Sequence, residues 1–113
     1  MKRNILEAAE VVRSKNSGPY ELTLDILFKD RRHFELFRER GIICAELICR
    51  LYNVSAGDIL GIVYFPPACA VKITMRRPVA CGAAGESDIY GAQQHAPLLD
   101  IEFDEEAFFE EQR

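Results

Sequence analysis

The clearest pattern of hydrophobic and polar positions is an alternation over residues 19–28. The residues between its apolar members are mostly polar, and the apolar members are Tyr20, Leu22, Leu24, Ile26 and Phe28. A period of two predicts a β-strand with one apolar and one polar face. A second alternation, over residues 70–76, predicts another half-exposed strand. The apolar run at residues 59–65 predicts a buried strand that Pro66 ends.

Apolar residues at helical spacing predict two helices after the first strand. Asp30 is a suitable N-cap for the first helix, and Gly41 is a suitable stop. The second helix is predicted over residues 44–53, with an apolar stripe made of Leu47, Ile48, Leu51 and Tyr52. Cys44, at its start, has apolar neighbours that favour burial.

The two ends of the chain are harder to assign from the pattern. Residues 3–12 predict a short helix, although Val11 and Val12 could instead begin a strand. Residues 78–97 predict a loop, with a short helix over about 88–96. Residues 98–103 then predict a brief final strand.

This order of elements predicts an α+β fold. The arrangement that fits best is a ferredoxin-like split β-α-β antiparallel sheet with helices on one face. Residues 1–103 are expected to form a single domain, followed by an acidic tail at residues 104–113. The tail contains Phe108 and Phe109, so it is either a frayed end or a docking segment.

Composition and charge narrow the classes of function. The chain has 113 residues, of which 49% are hydrophobic, and a net charge of −4. Five acids and one arginine in the last ten residues account for that charge, so the remaining body is neutral and nucleic-acid binding is not expected. Without a spanning segment or signal peptide, we expect a cytoplasmic protein that is not membrane-bound. Four cysteines without a CxxC pair and two distant histidines indicate no metal site, and no cofactor is predicted.

The segment before the first strand is the first candidate site. Its composition predicts a polar loop that could hold an anion or an acyl carboxylate with side chains and backbone N–H groups. Its substrate-binding candidates, together with the candidate catalytic Lys15, are Arg13, Ser14, Asn16, Ser17 and Gly18.

A second polar cluster precedes the final strand. Its substrate-binding candidates are Tyr90, Gln93 and Gln94, and His95 is a candidate general acid or base that would act with Lys15. The alternative for His95 is a hydrogen bond to a loop carbonyl.

The polar face of the sheet adds two more binding candidates. Asp25 could pair with Lys72 or with Arg76, and Asp25 and Arg76 are both candidates for substrate binding. The alternative is an ordinary exposed salt bridge.

Three segments, RSKNSGPYELTLDILF, YFPPACAVKITMRRP and DIYGAQQHAPLLDIEF, resemble a small bacterial family of uncharacterised function. Its members are associated with proteins similar to acyclic terpene utilisation protein A. The ferredoxin-like C-terminal domain of that protein is also similar, with an Arg-Ser-Gly-Asp-Lys-Gly type loop before its first strand. The centre of that loop is Lys-Asn-Ser here, so the role of its aspartate does not carry over.

The resemblance implies a stand-alone copy of that domain. It would be a small subunit or interaction domain of an enzyme complex of hydratase or lyase type. Its partner would be a larger protein similar to acyclic terpene utilisation protein A, and the complex would act in acyl-CoA or branched carboxylic acid breakdown. Two alternatives stay open. One is an independent hydratase or lyase acting on a carboxylic acid or its CoA ester. The other is a homo-oligomeric ligand-binding module.

Overall fold

The computed structural model describes residues 2–17, 20–76 and 95–104. Its strands are β1 (Lys2–Asn4), β2 (Ala9–Asn16), β3 (Glu21–Phe28), β4 (Ile59–Phe65), β5 (Ala70–Arg76) and β6 (Glu102–Asp104). Its helices are α1 (Arg31–Arg40) and α2 (Ala45–Tyr52). The mixed α+β class predicted from the sequence is therefore confirmed.

Both predicted helices are present, and their ends follow from local chemistry. The Asp30 side chain accepts a hydrogen bond from the His33 backbone N–H, and Gly41 ends α1 in the left-handed conformation with φ 60°. Asn53 ends α2 in the same conformation, with φ 55°. Cys44 caps α2 without a side-chain hydrogen bond and is exposed, so the expectation that it is buried was wrong.

The main sheet has the order β2-β3-β5-β4, and every pairing in it is antiparallel. β3 and β4 both lie antiparallel to β5, so they run parallel to each other with α1 and α2 between them in sequence. This arrangement is consistent with a ferredoxin-like fold. β2 lies at the edge of this sheet beside β3, and the strand predicted at residues 98–103 does not join it.

Two predictions about the chain ends were wrong. Residues 3–12 do not form a helix: a 3-10 turn at Ile5–Glu7 separates β1 from β2. Residues 98–103 are not one strand, because a 3-10 helix at Ala96–Asp100 precedes β6, which pairs with β1 in a separate two-stranded sheet. The helix predicted at residues 88–96 lies mostly outside the described residues, as does the tail beyond Asp104.

The hydrophobic core lies between the main sheet and the two helices. The residues of β3 that face it are Leu22, Leu24, Ile26 and Phe28, all buried. Phe28 contacts Phe37 of α1 with ring centroids 4.7 Å apart, and Phe37 contacts Phe103 of β6 at 5.2 Å. The small sheet is thereby joined to the same core. Both described helices cover this inner face of the main sheet, so the opposite, outer face carries the candidate site.

Candidate functional site

The strand register brings charged side chains into one row on the outer face. Arg13 of β2 lies opposite Asp25 of β3, Asp25 lies opposite Lys72 of β5, and Lys72 lies opposite Val63 of β4. The Arg13 Nε donates to the Asp25 Oδ2 at 3.2 Å. Asp25 therefore lies between two cations, and its ion pair is with Arg13. Arg76, the other partner considered for it, lies opposite Glu21.

The neighbouring row on the same face is apolar. Its members, in order across the sheet, are Val11, Leu27, Ala70 and Phe65. Val63 is 57% exposed and Phe65 is 54% exposed, values that are high for side chains of their size. The charged row and the apolar row lie directly beside each other.

The two rows share a cleft of about 380 Å³. It is lined by Leu27, Val63, Phe65 and Ala70 together with Arg13, Asp25 and Lys72. A cleft of this kind can accept an apolar group that carries an anionic end, because the apolar area lies next to two cations.

The outer face is locally positive although the chain is acidic. Four cations, Arg13, Lys15, Lys72 and Arg76, project from the same side of the sheet as two carboxylates, Asp25 and Glu21. This leaves a local excess of two positive charges on a chain whose net charge is −4. A surface with this charge attracts anionic groups.

The polar segment at residues 13–18 is mostly strand, so the interpretation of residues 13–16 as a loop was wrong. Arg13 and Lys15 lie on the outer face, whereas Ser14 and Asn16 lie opposite Leu24 and Leu22 on the inner side. Ser14 is buried.

The residues that follow complete this hairpin segment. Ser17 donates its backbone N–H to the Glu21 carbonyl at 3.0 Å. Gly18 lies outside the described residues. The described candidates for one anion-binding loop are thus divided between the two sides of an edge strand, with Ser17 directly after it.

The second predicted cluster is only partly described. Tyr90, Gln93 and Gln94 lie outside the described residues. His95 is half-buried and immediately precedes the 3-10 helix at Ala96–Asp100.

The 3-10 helix lies beside the segment that joins β1 to β2. The Leu99 carbonyl accepts from the Asn4 Nδ2 at 2.7 Å. Lys15 is six residues along β2 from Ala9, about 20 Å at the rise of a strand. A shared acid–base pair of Lys15 and His95 stays a prediction.

A second cleft, of about 430 Å³, lies between α2 and the small sheet. Its charged lining residues are Lys2, Glu46, Arg50, Asp100 and Glu102, and the exposed Cys44 also borders it. Neither of these two clefts is lined by Lys15 or His95. The cleft between α2 and the small sheet was not predicted from the sequence, because the β1–β6 pairing that forms it joins residues from opposite ends of the chain.

The His33–Asp30 pair at the start of α1 was also missed. The His33 Nδ1 lies 2.7 Å from the Asp30 Oδ1, and the ring contacts Phe103 edge-on. Partial burial on its own would raise the pKa of the Asp30 carboxyl. Hydrogen bonds from the His33 backbone N–H and with its ring, and the nearby charges of His33 and Lys29, instead hold that pKa below its ordinary value. The pair stabilises the helix start.

Two further properties concern the described part of the chain. Within residues 2–17, 20–76 and 95–104, no three His, Cys, Asp or Glu side chains are grouped so that they could hold a metal ion. No helix in these same ranges is long and apolar enough to cross a membrane.

Comparison with known proteins identifies the family of the chain. No curated protein and no solved structure matches the chain. The family described as a domain of unknown function, DUF4387, matches residues 5–102, which include both helices, the main sheet and the start of β6. The chain therefore belongs to the DUF4387 family.

Proposed function

We propose that this chain is a small interaction subunit that binds a larger protein through the outer face of its main sheet. The observation that carries the proposal is the charged row of Arg13, Asp25 and Lys72 beside an apolar row with the exposed Phe65. Exposed apolar side chains beside organised charges are typical of recognition surfaces.

The chemistry of the face supports an acidic partner with an exposed apolar side chain. The excess of positive charge favours an acidic surface, because complementary charge speeds association and orients the two proteins. The cleft of about 380 Å³ beside Phe65 accepts one apolar side chain of the partner. A carboxylate next to that side chain would meet Arg13 or Lys72, so the expected contact is an apolar residue flanked by Asp or Glu.

The partner we propose is a larger protein similar to acyclic terpene utilisation protein A. The support is the resemblance in the segments at residues 13–28, 64–78 and 88–103. On this proposal the complex acts in acyl-CoA or branched carboxylic acid breakdown, as a hydratase or lyase, with this chain as its smaller subunit.

The same chemistry extends the proposal to a ligand. Arg13 and Lys72 could hold the carboxylate or phosphate groups of an acyl substrate at the interface. In that arrangement the small subunit would complete the active site of the larger one.

The test is a binding measurement with charge-reversal variants. The double variant Arg13→Glu, Lys72→Glu and the larger protein from the same organism are purified separately and mixed in a calorimeter. We expect the wild-type chain to bind and the double variant to lose at least about tenfold in affinity. The control is Arg50→Glu on α2, which makes one charge reversal of the same kind on the helix side of the sheet.

Two results would contradict the proposal. One is the absence of binding by the wild-type chain. The other is equal loss of affinity in the control and the double variant, since this would place the contact elsewhere.

A further inference from the structure

The two edges of the main sheet differ in chemistry. β2, at one edge, contains Glu10, Arg13 and Lys15, and charges of this kind protect a strand edge from pairing with another chain. β4, at the other edge, has the sequence ILGIVYF and contains no charged residue. Among the described strands, β4 is therefore the unprotected edge.

The exposed side chains of β4 agree with its lack of charge. Of the five large hydrophobic residues exposed in the described ranges, three belong to this one strand: Leu60, Val63 and Phe65. Seven residues are also long enough for a paired strand. A strand that is long, uncharged and exposed is a template for pairing with another strand.

We propose that β4 pairs antiparallel with β4 of a second copy of this chain, with Val63 at the two-fold axis. This register places Val63 against the second copy's Val63 and Gly61 against its Phe65. Ile62 then faces Tyr64. Residues that are opposite in an antiparallel pair point to the same face. Val63, Phe65 and Gly61 all belong to the outer rows, and Ile62 and Tyr64 to the inner side, so the faces match.

Neighbouring registers fit less well. A two-fold axis at Tyr64 would bring Pro66 into the pairing, and proline has no N–H to donate. An axis at Ile62 would bring in Leu60, which lies in the irregular part of the strand where the register with β5 shifts. The register centred on Val63 uses only the regular residues 61–65.

Gly61 provides the most specific support. Its backbone does not have a positive φ, so its conformation does not require glycine. A Cβ added at this position would meet no atom within 4 Å, so the packing of a single copy does not require glycine either. In the proposed pair, the ring of Phe65 from the second copy lies over Gly61, an arrangement in which an aromatic side chain covers a cross-strand glycine.

The proposed pair forms one continuous sheet of eight strands and goes beyond the proposed function. It uses the backbone edge of β4, whereas partner binding uses the outer face around Arg13 and Lys72, and the side chains of Val63 and Phe65 border both surfaces. The outer faces of the two copies would lie side by side, so that a partner could contact both.

The test is the molar mass in solution, measured by light scattering and sedimentation over a range of concentrations. We expect the wild-type chain to dimerise, and Val63→Lys to weaken the dimer at least about tenfold, because it places two ammonium groups opposite each other. Val11→Lys is the matched control, since Val11 is an outer-face valine on the opposite edge strand. It should leave the dimer intact.

Gly61→Val distinguishes the proposal from a simple loss of folding. In a single copy the added side chain has open space and a higher strand propensity, so the melting temperature of the monomer should not fall. In the pair the new side chain collides with Phe65 of the second copy, so we expect the dissociation constant to rise at least about tenfold. Arg13→Glu with Lys72→Glu should reduce partner binding but not dimerisation, so the two proposals can fail separately.

Three results would overturn the inference. The first is a wild-type chain that stays monomeric up to about 100 µM. The dissociation constant of the pair would then exceed that of most specific complexes. The second is a dimer that Val63→Lys leaves unchanged. The third is a dimer that Val11→Lys disrupts as strongly as Val63→Lys.

Discussion

The Tyr64 hydroxyl ties β4 to the connection between the two helices, and its removal has a calculable cost. The hydroxyl accepts from the Ile43 N–H at 3.1 Å and donates to the Ile43 carbonyl at 2.9 Å. The Phe37 carbonyl lies 3.4 Å from the same oxygen. Ile43 is 2% exposed, so water cannot easily replace these bonds. Tyr64→Phe would leave a buried N–H and a buried carbonyl without this partner.

The magnitude follows from the loss of two bonds at a buried residue. A net hydrogen bond contributes about 1 kcal/mol, and an unsatisfied buried group costs about 1–3 kcal/mol. Allowing for partial relaxation, we expect Tyr64→Phe to lower the free energy of unfolding by about 2 kcal/mol. For a chain of this length the melting temperature should fall by about 8 °C.

The assay is urea unfolding followed by circular dichroism, with the midpoint and slope fitted together. Tyr20→Phe is the matched control, because Tyr20 is 62% exposed, and it should change the free energy by less than about 0.5 kcal/mol. If Tyr64→Phe also costs less than about 0.5 kcal/mol, the hydroxyl does not hold the helix connection.

Three further predictions concern titration, capping and thiol chemistry. Burial raises the pKa of Tyr52. Its neutral form therefore stabilises the fold below the unfolded pKa near 10, and this contribution is lost as pH rises through the folded pKa. Tyr52→Phe should reduce this loss of stability in an alkaline unfolding titration. Asp30→Ala should lower the free energy of unfolding at pH 7 by about 1 kcal/mol, as measured by urea unfolding. The substitution removes the carboxylate that caps α1 by accepting a hydrogen bond from the His33 N–H. The pKa of Asp30 is lowered, so the stability difference between the wild type and Asp30→Ala should be present above about pH 4 and shrink as pH falls further. A difference that stays constant with pH would contradict a stabilising role of the charged carboxylate. Cys44 is exposed and Cys49 is half-buried, so Cys44→Ser should remove a faster phase of modification by an aromatic disulfide reagent, and an unchanged time course would contradict the exposure.

Helices and central strands were predictable because each carries a complete local signal. Asp30 and Gly41 mark the two ends of α1, and the alternation from Tyr20 to Phe28 marks β3. Packing and local preference agree in these segments, so the pattern alone is sufficient.

β2 was predicted only as an alternative beginning at Val11 and Val12, because its local signal is weak. A bulge between Ala9 and Val11 interrupts the period of two, and Ser14 replaces an apolar residue on the buried side. Pairing with β3 makes this segment a strand despite its polar sequence.

The charged row of the site depended on the same hairpin. Without β2 in the sheet, the sequence offered Lys72 or Arg76 as partners for Asp25, and Arg13 was assigned to a loop. The cross-strand contact between Arg13 and Asp25 is specified by register, which no single segment contains. The inner position of Ser14 and Asn16 follows from the same register.

The pairing of β1 with β6 has a consequence for folding kinetics. Lys2 lies opposite Asp104, and the Ile5 N–H donates to the Ile101 carbonyl at 2.9 Å. Closing a loop of about 100 residues costs about 4 kcal/mol of chain entropy, whereas β2 to β5 and both helices assemble from a continuous stretch. We therefore expect the β1–β6 pair to form late in folding and to open while the main sheet stays folded. Its amide protons should exchange with solvent faster than those of β3 and β5.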